Sequence, residues 1–156
     1  MTIRAGTPDD ENACVDLWLA ALERRDGFTP PFESRGRAHA KFARQAVRLG
    51  IADTSGDLDG FALTVEASDD TALLELIAVA PNATGRGSGR ALLDDAIAFA
   101  AASGYRFLEL WVRRGNDRAI ALYTSRGLVA TGDLEEHPLR GEPMMRFRLP
   151  LAPMSH

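Results

Sequence analysis

The sequence predicts a single α/β domain (α+β in the arrangement of its segments), with its elements in the order β-α-α-β-β-β-α-β-α-β-β. Three observations carry that expectation. The 156 residues suit one domain, and a chain of this length buries roughly two-thirds of its unfolded surface. Apolar residues make up 46% and charged residues 26%, ordinary globular values that exclude a disordered tail protein, a collagen-like fibre and a disulfide scaffold. Runs with the two-residue period of strands alternate with runs of helical period, and no repeat, low-complexity tract or long linker separates them. The domain is expected over 1–150, with a short tail at 151–156.

Thr2 to Arg4 reads as an opening strand. Thr7-Pro8-Asp9-Asp10 starts a helix: the threonine caps, the proline fits the first turn, and the acids favour the positive end of the helix dipole. Ala13, Cys14, Leu17, Trp18, Ala21 and Leu22 follow at helical spacing, so Cys14 reads as a buried small hydrophobe. Pro30-Pro31 lies in a break from Gly27 to Ser34. A second helix is expected from Ser34 to Val47, with His39, Lys41 and Arg44 on a solvated face. Strands are expected near Arg48–Ala52, Leu58–Ala67 and Thr71–Ala80, the last two as an antiparallel hairpin.

Gly85-Arg86-Gly87-Ser88-Gly89 is a loop running into a helix that carries Leu92, Leu93, Ala96, Ile97 and Ala100 and ends at Gly104. Tyr105–Val112 is the next strand. Asn116 and Asp117 open another helix, with Gly127 past its end. Leu128–Thr131 and Met145–Leu149 are the last strands, joined by a polar loop.

Charge and composition narrow the function. Net charge is -4, the wrong sign for non-specific nucleic-acid binding. Seventeen arginines against one lysine, Lys41, reflect a compositional bias that weakens the signal of any single arginine. Three histidines and one cysteine show no zinc-ligand spacing, so no metal is expected. No apolar run reaches the roughly 20 residues of a membrane span. The first residues have no apolar signal core, and Cys14 has no partner for an internal disulfide. A reducing, cytoplasmic compartment is the expectation.

The glycine loop is the segment that carries chemistry. Free amides at a helix N-terminus attract anions, and glycines let the backbone approach a phosphate. A P-loop would need a lysine that this loop lacks. The dinucleotide fingerprint would place a third glycine at position 90, which is Arg90, and Glu109 sits mid-strand instead of at a strand end. A coenzyme A pyrophosphate loop is the third class.

Here the chain resembles the GNAT superfamily of N-acyltransferases. The resemblance rests on Val79-Ala80-Pro81, Thr84-Gly85-Arg86-Gly87-Ser88-Gly89, Arg90-Ala91-Leu92-Leu93, and Asn116-x-x-Ala119-x-x-x-Tyr123 followed by Gly127-Leu128. The opening Ile3-Arg4 and Thr7-Pro8-Asp9-Asp10 fit as well. Thr84 stands where the family has Arg or Gln, and Leu128 where it has Phe. Trp111 stands where the branch acting on ribosomal-protein N-termini carries Glu.

The resemblance implies a mixed, mostly antiparallel sheet of about seven strands and four helices, splayed between its fourth and fifth strands. It implies acetyl-CoA as acyl donor, held by Ile77, Ala78, Val79, Thr84, Gly85, Arg86, Gly87, Ser88, Gly89, Arg90, Asn116 and Tyr123. Tyr123 would return a proton to the departing thiolate. Glu75 would be the general base; strand alternation sets it on one face with Leu73, Ile77 and Val79. Phe28, Pro30, Phe32 and Glu33 after the first helix, with Glu135, Glu136 and His137 before the last strand, would form the acceptor pocket. Aromatic and acidic side chains there would suit a cationic amine. The implied activity is direct acetyl transfer to a small-molecule or peptide amine, with a homodimer possible. The rival is a non-catalytic acyl-CoA-binding regulator on the same fold.

Overall fold

The computed structural model describes residues 2–83, 85, 87–136 and 143–152. Its elements are β1 (Thr2–Ala5), α1 (Glu11–Asp26), α2 (Glu33–Phe42), β2 (Ala46–Thr54), β3 (Asp57–Ser68), β4 (Thr71–Val79), α3 (Ser88–Ala102), β5 (Phe107–Arg113), α4 (Asp117–Ser125), β6 (Val129–Glu136) and β7 (Pro143–Pro150). Seven strands form one sheet in the order β1-β2-β3-β4-β5-β7-β6. All neighbours are antiparallel except β4 and β5. The expected succession and mixed sheet are both present.

Helices cover both faces. Leu92, Leu93, Ala96 and Ala100 of α3 and Tyr123 of α4 pack with Ala62, Leu74, Leu108, Leu110 and Val112 in one core. Cys14 of α1 packs with Ile51, Phe61, Leu63, Val65, Leu76 and Ala78 in the other, with Trp18 and Phe42 at its margin. Cys14 is fully buried, and loss of solvation pushes its thiol up to about 12. It is a core residue, as the helical spacing predicts.

The chain enters α1 through a capped 3₁₀ turn. The Thr7 hydroxyl accepts from the Asp9 amide at 3.3 Å, and the Asp10 carboxylate accepts from the Thr7 amide at 2.8 Å. Arg4 clamps that carboxylate at 2.9 and 3.0 Å. Gly27, at φ +80°, ends α1.

Two boundaries differ from expectation by five residues each. The second helix stops at Phe42 instead of Val47, because Ala46 and Val47 join β2, where pairing with β3 outweighs local helical preference. The sixth strand runs to Glu136 instead of Thr131, so Glu135 and Glu136 are strand residues. Every residue of β6 is exposed and Ala130–Leu134 carries a register shift at Gly132, so no clean alternation marks the strand. Among the described residues, no helix is long and apolar enough to cross a membrane.

The sheet opens at its centre. Parallel pairing of β4 and β5 runs from Thr71/Phe107 to Leu74/Leu110 and stops, although both strands continue. Beyond that point β4 keeps its pairing with β3 as far as Val79, while β5 stays with β7 as far as Arg113. Glu75 is the extra residue of a β-bulge, since Leu74 pairs with Thr64 and Leu76 with Leu63. Gly60 permits close pairing at the far end: a Cβ there would stand 2.7 Å from the Ala78 carbonyl oxygen.

Candidate active site

The opening between β4 and β5 continues through the sheet. It forms a cleft of about 1070 Å³ lined by Trp18 and Arg24 of α1, Arg37 and Lys41 of α2, and Gly87, Ser88 and Tyr123 from the opposite helical layer.

On β4 the backbone sets which groups face this cleft. The Ala80 amide donates to the Asp59 carbonyl of β3 at 2.7 Å. Alternation then turns the polar groups of Ala78 towards β3 and those of Ile77 and Val79 towards the opening. The Val79 carbonyl agrees, since it accepts from Arg24 Nη2 at 3.5 Å across the gap. Of the three residues expected to pair with pantetheine, Ile77 and Val79 present backbone polar groups to the cleft. Ala78 contributes its side chain to the α1-side core.

The glycine loop closes one end. Gly85 and Gly87 have φ of +87° and +82°, and a Cβ at either would meet nothing within 4 Å. These glycines serve the left-handed backbone rather than close packing. Gly87 is the N-cap of α3 and supplies no side-chain hydrogen bond to the first helical turn, so its amides are open to an anion. Ser88 is buried, Gly89 half-buried and Arg90 exposed, and all three line the cleft. Thr84 and Arg86 lie outside the described residues.

Asn116 and Tyr123 belong to α4. The Asn116 side-chain oxygen accepts from the Ala119 amide at 3.3 Å and caps the helix. Tyr123, two turns on, is 6% exposed, and burial pushes its phenol up to about 12. It is fully protonated at neutral pH and lines the cleft.

Glu75 also lines the cleft, but not on the face that alternation predicts. Ile77 and Val79 pack towards α3, whereas Leu73 packs towards α1. The bulge breaks the alternation, and the Glu75 carboxylate meets Lys41 Nζ at 3.0 Å and Arg44 Nη1 at 2.9 Å. It sits among cations, not in the apolar surroundings that its sequence neighbours imply.

The acceptor side differs more. Phe28, Phe32 and Glu33 do not line the cleft; Phe32 is 95% exposed at the start of α2. Pro30, expected there, does line it, and Pro31 and Ser34 join it. Glu135 reaches the cleft from β6, and His137 lies outside the described residues. The sequence reading passed over Arg24, Arg25, Asp26, Arg37, Arg113 and Arg118, all of which line it. Asp26 is held by Arg113 at 2.7 Å and faces Arg25 at 3.6 Å. Among the described residues, seven basic side chains line the cleft against three acidic ones, in a molecule of net charge -4.

Glu109, in the middle of β5, is buried and ion-paired to Arg148 and Arg146. No cluster of metal-ligating side chains occurs among the described residues.

Comparison with known proteins matches residues 13–128 to the model of the acetyltransferase (GNAT) family. An uncharacterized N-acetyltransferase of Methanocaldococcus jannaschii is 29% identical over 134 residues, which are 81% of this chain and 59% of that protein. The chain thus spans somewhat more than half of that relative. A ribosomal-protein alanine N-acetyltransferase of Escherichia coli superposes with a TM-score of 0.78 at 27% identity, covering 99% of this chain and 96% of the other. The Salmonella typhimurium protein YncA, determined with its cofactor acetyl-CoA, superposes with a TM-score of 0.75 at 20% identity, covering 100% and 96%.

Proposed function

The chain belongs to the acetyltransferase (GNAT) family, and from that premise we propose that it moves an acetyl group from acetyl-CoA directly onto an amine. The observation that carries the reading is the opening of the sheet. β4 leaves β5 after Leu74, and the polar groups of Ile77 and Val79 turn into the gap beside an uncapped α3 N-terminus. An extended pantetheine arm pairs with such an edge as a strand would. Gly85, Gly87 and the first amides of α3 hold the pyrophosphate, with Arg90 in the first turn of α3 adding charge there. Asn116 caps α4 and so holds Tyr123 in line with the cleft.

The amine enters from the α1–α2 side and its lone pair attacks the thioester carbon. A backbone amide of β4 stabilises the oxyanion. The C–N bond forms, the C–S bond breaks, and the electron pair stays on sulfur. The Tyr123 hydroxyl donates a hydrogen bond to the thiolate as it develops. The amine's proton passes to water in the open cleft, and water later protonates the thiolate. Glu75, clamped by Lys41 and Arg44, holds charge on that wall. Cys14 is buried in the α1-side core, and no acyl-enzyme is invoked. A cytoplasmic site of action and a homodimer through the open edge of β6 belong to the same reading.

Calorimetric titration with acetyl-CoA tests it. Gly87→Ala and Gly87→Glu impose the same left-handed strain, about 1–2 kcal/mol, but only glutamate brings an anion to the phosphate end. Binding is expected to survive in the alanine variant and vanish in the glutamate variant, with circular dichroism unchanged in both. Equal affinity in both variants places the phosphates elsewhere. Binding without coenzyme A release across an amine panel favours the non-catalytic regulator.

A further inference from the structure

The acceptor wall of the cleft carries the charge opposite to the one that its sequence neighbours imply. Each of two acids there is bracketed by two bases. Asp26 lies between Arg113 and Arg25, and Glu75 between Lys41 and Arg44. Neither acid offers a vacant partner to an incoming ammonium group, and the Glu75 trio retains positive charge. Arg37 adds to it. It stands one helical turn before Lys41, which places both on one side of α2. The two residues line the main cleft and also a smaller groove of about 240 Å³ that they share with Arg44. Arg37 makes no hydrogen bond or ion pair within the described residues. A basic strip of this kind, continuous with the reaction cleft, recognises an anion on the acceptor itself.

Resting on the transfer reading above, we infer that the acceptor is an amine that carries its own carboxylate, a free amino acid being the simplest, and that Arg37 and Lys41 hold that carboxylate. Such an acceptor reverses the cationic-amine expectation drawn from Phe32 and Glu33, neither of which reaches the cleft. Trp18 and Trp111 also line it, supplying apolar surface for the rest of the molecule.

These are the only two tryptophans of the chain, so quenching of their fluorescence reports acceptor-site binding without turnover. The experiment uses the whole chain with acetyl-CoA, a panel of L-amino acids, the matching amino-acid amides, and dipeptides with the same first residue. Coenzyme A release and quenching by the N-acetylated products are both recorded. Amides have the less basic amine and react more readily at neutral pH, so preference for the acid is a stringent result. The expected result is a kcat/KM at least about 10-fold higher for acids than for amides. The Arg37→Gln, Lys41→Gln double variant should lose that preference, and Arg37→Glu should favour amides. Dipeptides of activity equal to the acids would move the carboxylate to a more distant position and overturn the free-amino-acid assignment.

Amides acetylated as well as acids overturn the carboxylate site and leave the transfer reading standing. Quenching that prefers carboxylates without any acetyl transfer does the reverse. Preference that survives in the double variant, or quenching by neither set, overturns the inference.

Discussion

Removing one oxygen atom from Tyr123 separates two ways in which that residue acts. Burial holds its phenol at about 12, whereas a thiol has a pKa of about 8.5. Complete transfer of the phenolic proton to a thiolate of ordinary solution pKa is therefore uphill, so the hydrogen bond, not the full transfer, is the contribution put to the test. A hydrogen bond to the developing charge has no such cost and is worth about 1.5–3 kcal/mol, or roughly 10- to 150-fold in rate. Tyr123→Phe keeps the ring in the core with Leu92 and Val112 and deletes only that bond. The expected result is a kcat lowered by that factor, with acetyl-CoA affinity within a few-fold, since the bond strengthens mainly in the transition state. The sign of the pH dependence follows from the raised phenol. The proton stays on at all pH values below about 12, so wild type and variant should give rate–pH profiles of the same shape and different height. The assay is steady-state coenzyme A release against pH with a verified acceptor. A basic limb between about pH 8 and 10, near the ordinary phenol value, that is present in wild type and absent in the variant would refute the reasoning. Unchanged turnover would reduce Tyr123 to a packing residue.

Three further outcomes are expected. Gly60→Ala sets a Cβ 2.7 Å from the Ala78 carbonyl oxygen and 3.0 Å from Leu92 Cδ1. It should cost about 1–3 kcal/mol, a Tm lower by roughly 2–10 °C, and raise the KM for acetyl-CoA; an unchanged melting curve counts against the tight pairing. With water taking the amine proton, as proposed, Glu75→Gln should retain the acid limb of the rate profile and change turnover less than about 10-fold; a loss of about 10²–10⁴ with a flattened limb makes it the base. Asp10, which Arg4 holds down at about 2, contributes stability above the ordinary carboxylate range that is lost as pH falls from about 4 through about 2. Asp10→Asn should therefore lower neutral-pH stability by about 0.5–2 kcal/mol and flatten acid unfolding in that window; parallel acid-unfolding curves would show that the capping box carries no linked proton.

Much of this architecture was legible because short-range chemistry carried it. Gly85 and Gly87 sit where left-handed backbone must turn the chain into α3, and both have positive φ. Asn116 announces α4 by its own cap. The acceptor wall was illegible for the opposite reason. Arg24, Arg37 and Arg113 reach it from three elements, and a chain with seventeen arginines marks none of them. Phe32 and Glu33 lie in the right break, yet α2 starts so as to leave both exposed. The edge strand β6 hid its length because neither of its faces is buried.

The bulge at Glu75 was hidden by arithmetic. Leu73-Leu74-Glu75-Leu76-Ile77 is apolar on both sides of the glutamate, so counting by twos works in either direction and gives no sign of an extra residue. Yet that residue lies next to the point where the sheet opens. Pairing with β5 ends at Leu74, and the next residue is the one with no opposite number on β3. Leu73 before it and Leu76 after it share the α1 face, while Ile77 and Val79 turn to α3. A regular β4 would have kept Glu75 on the face of Ile77, away from Lys41 and Arg44. One extra residue therefore accounts for the change of face and for a carboxylate fixed on the α2 side. A bulge also bends its strand and sharpens its twist, and this one stands where β4 and β5 part. The site is thus an irregularity that a buried sheet tolerates because β3 continues to pair with β4 as far as Val79, with Gly60 allowing the close approach there.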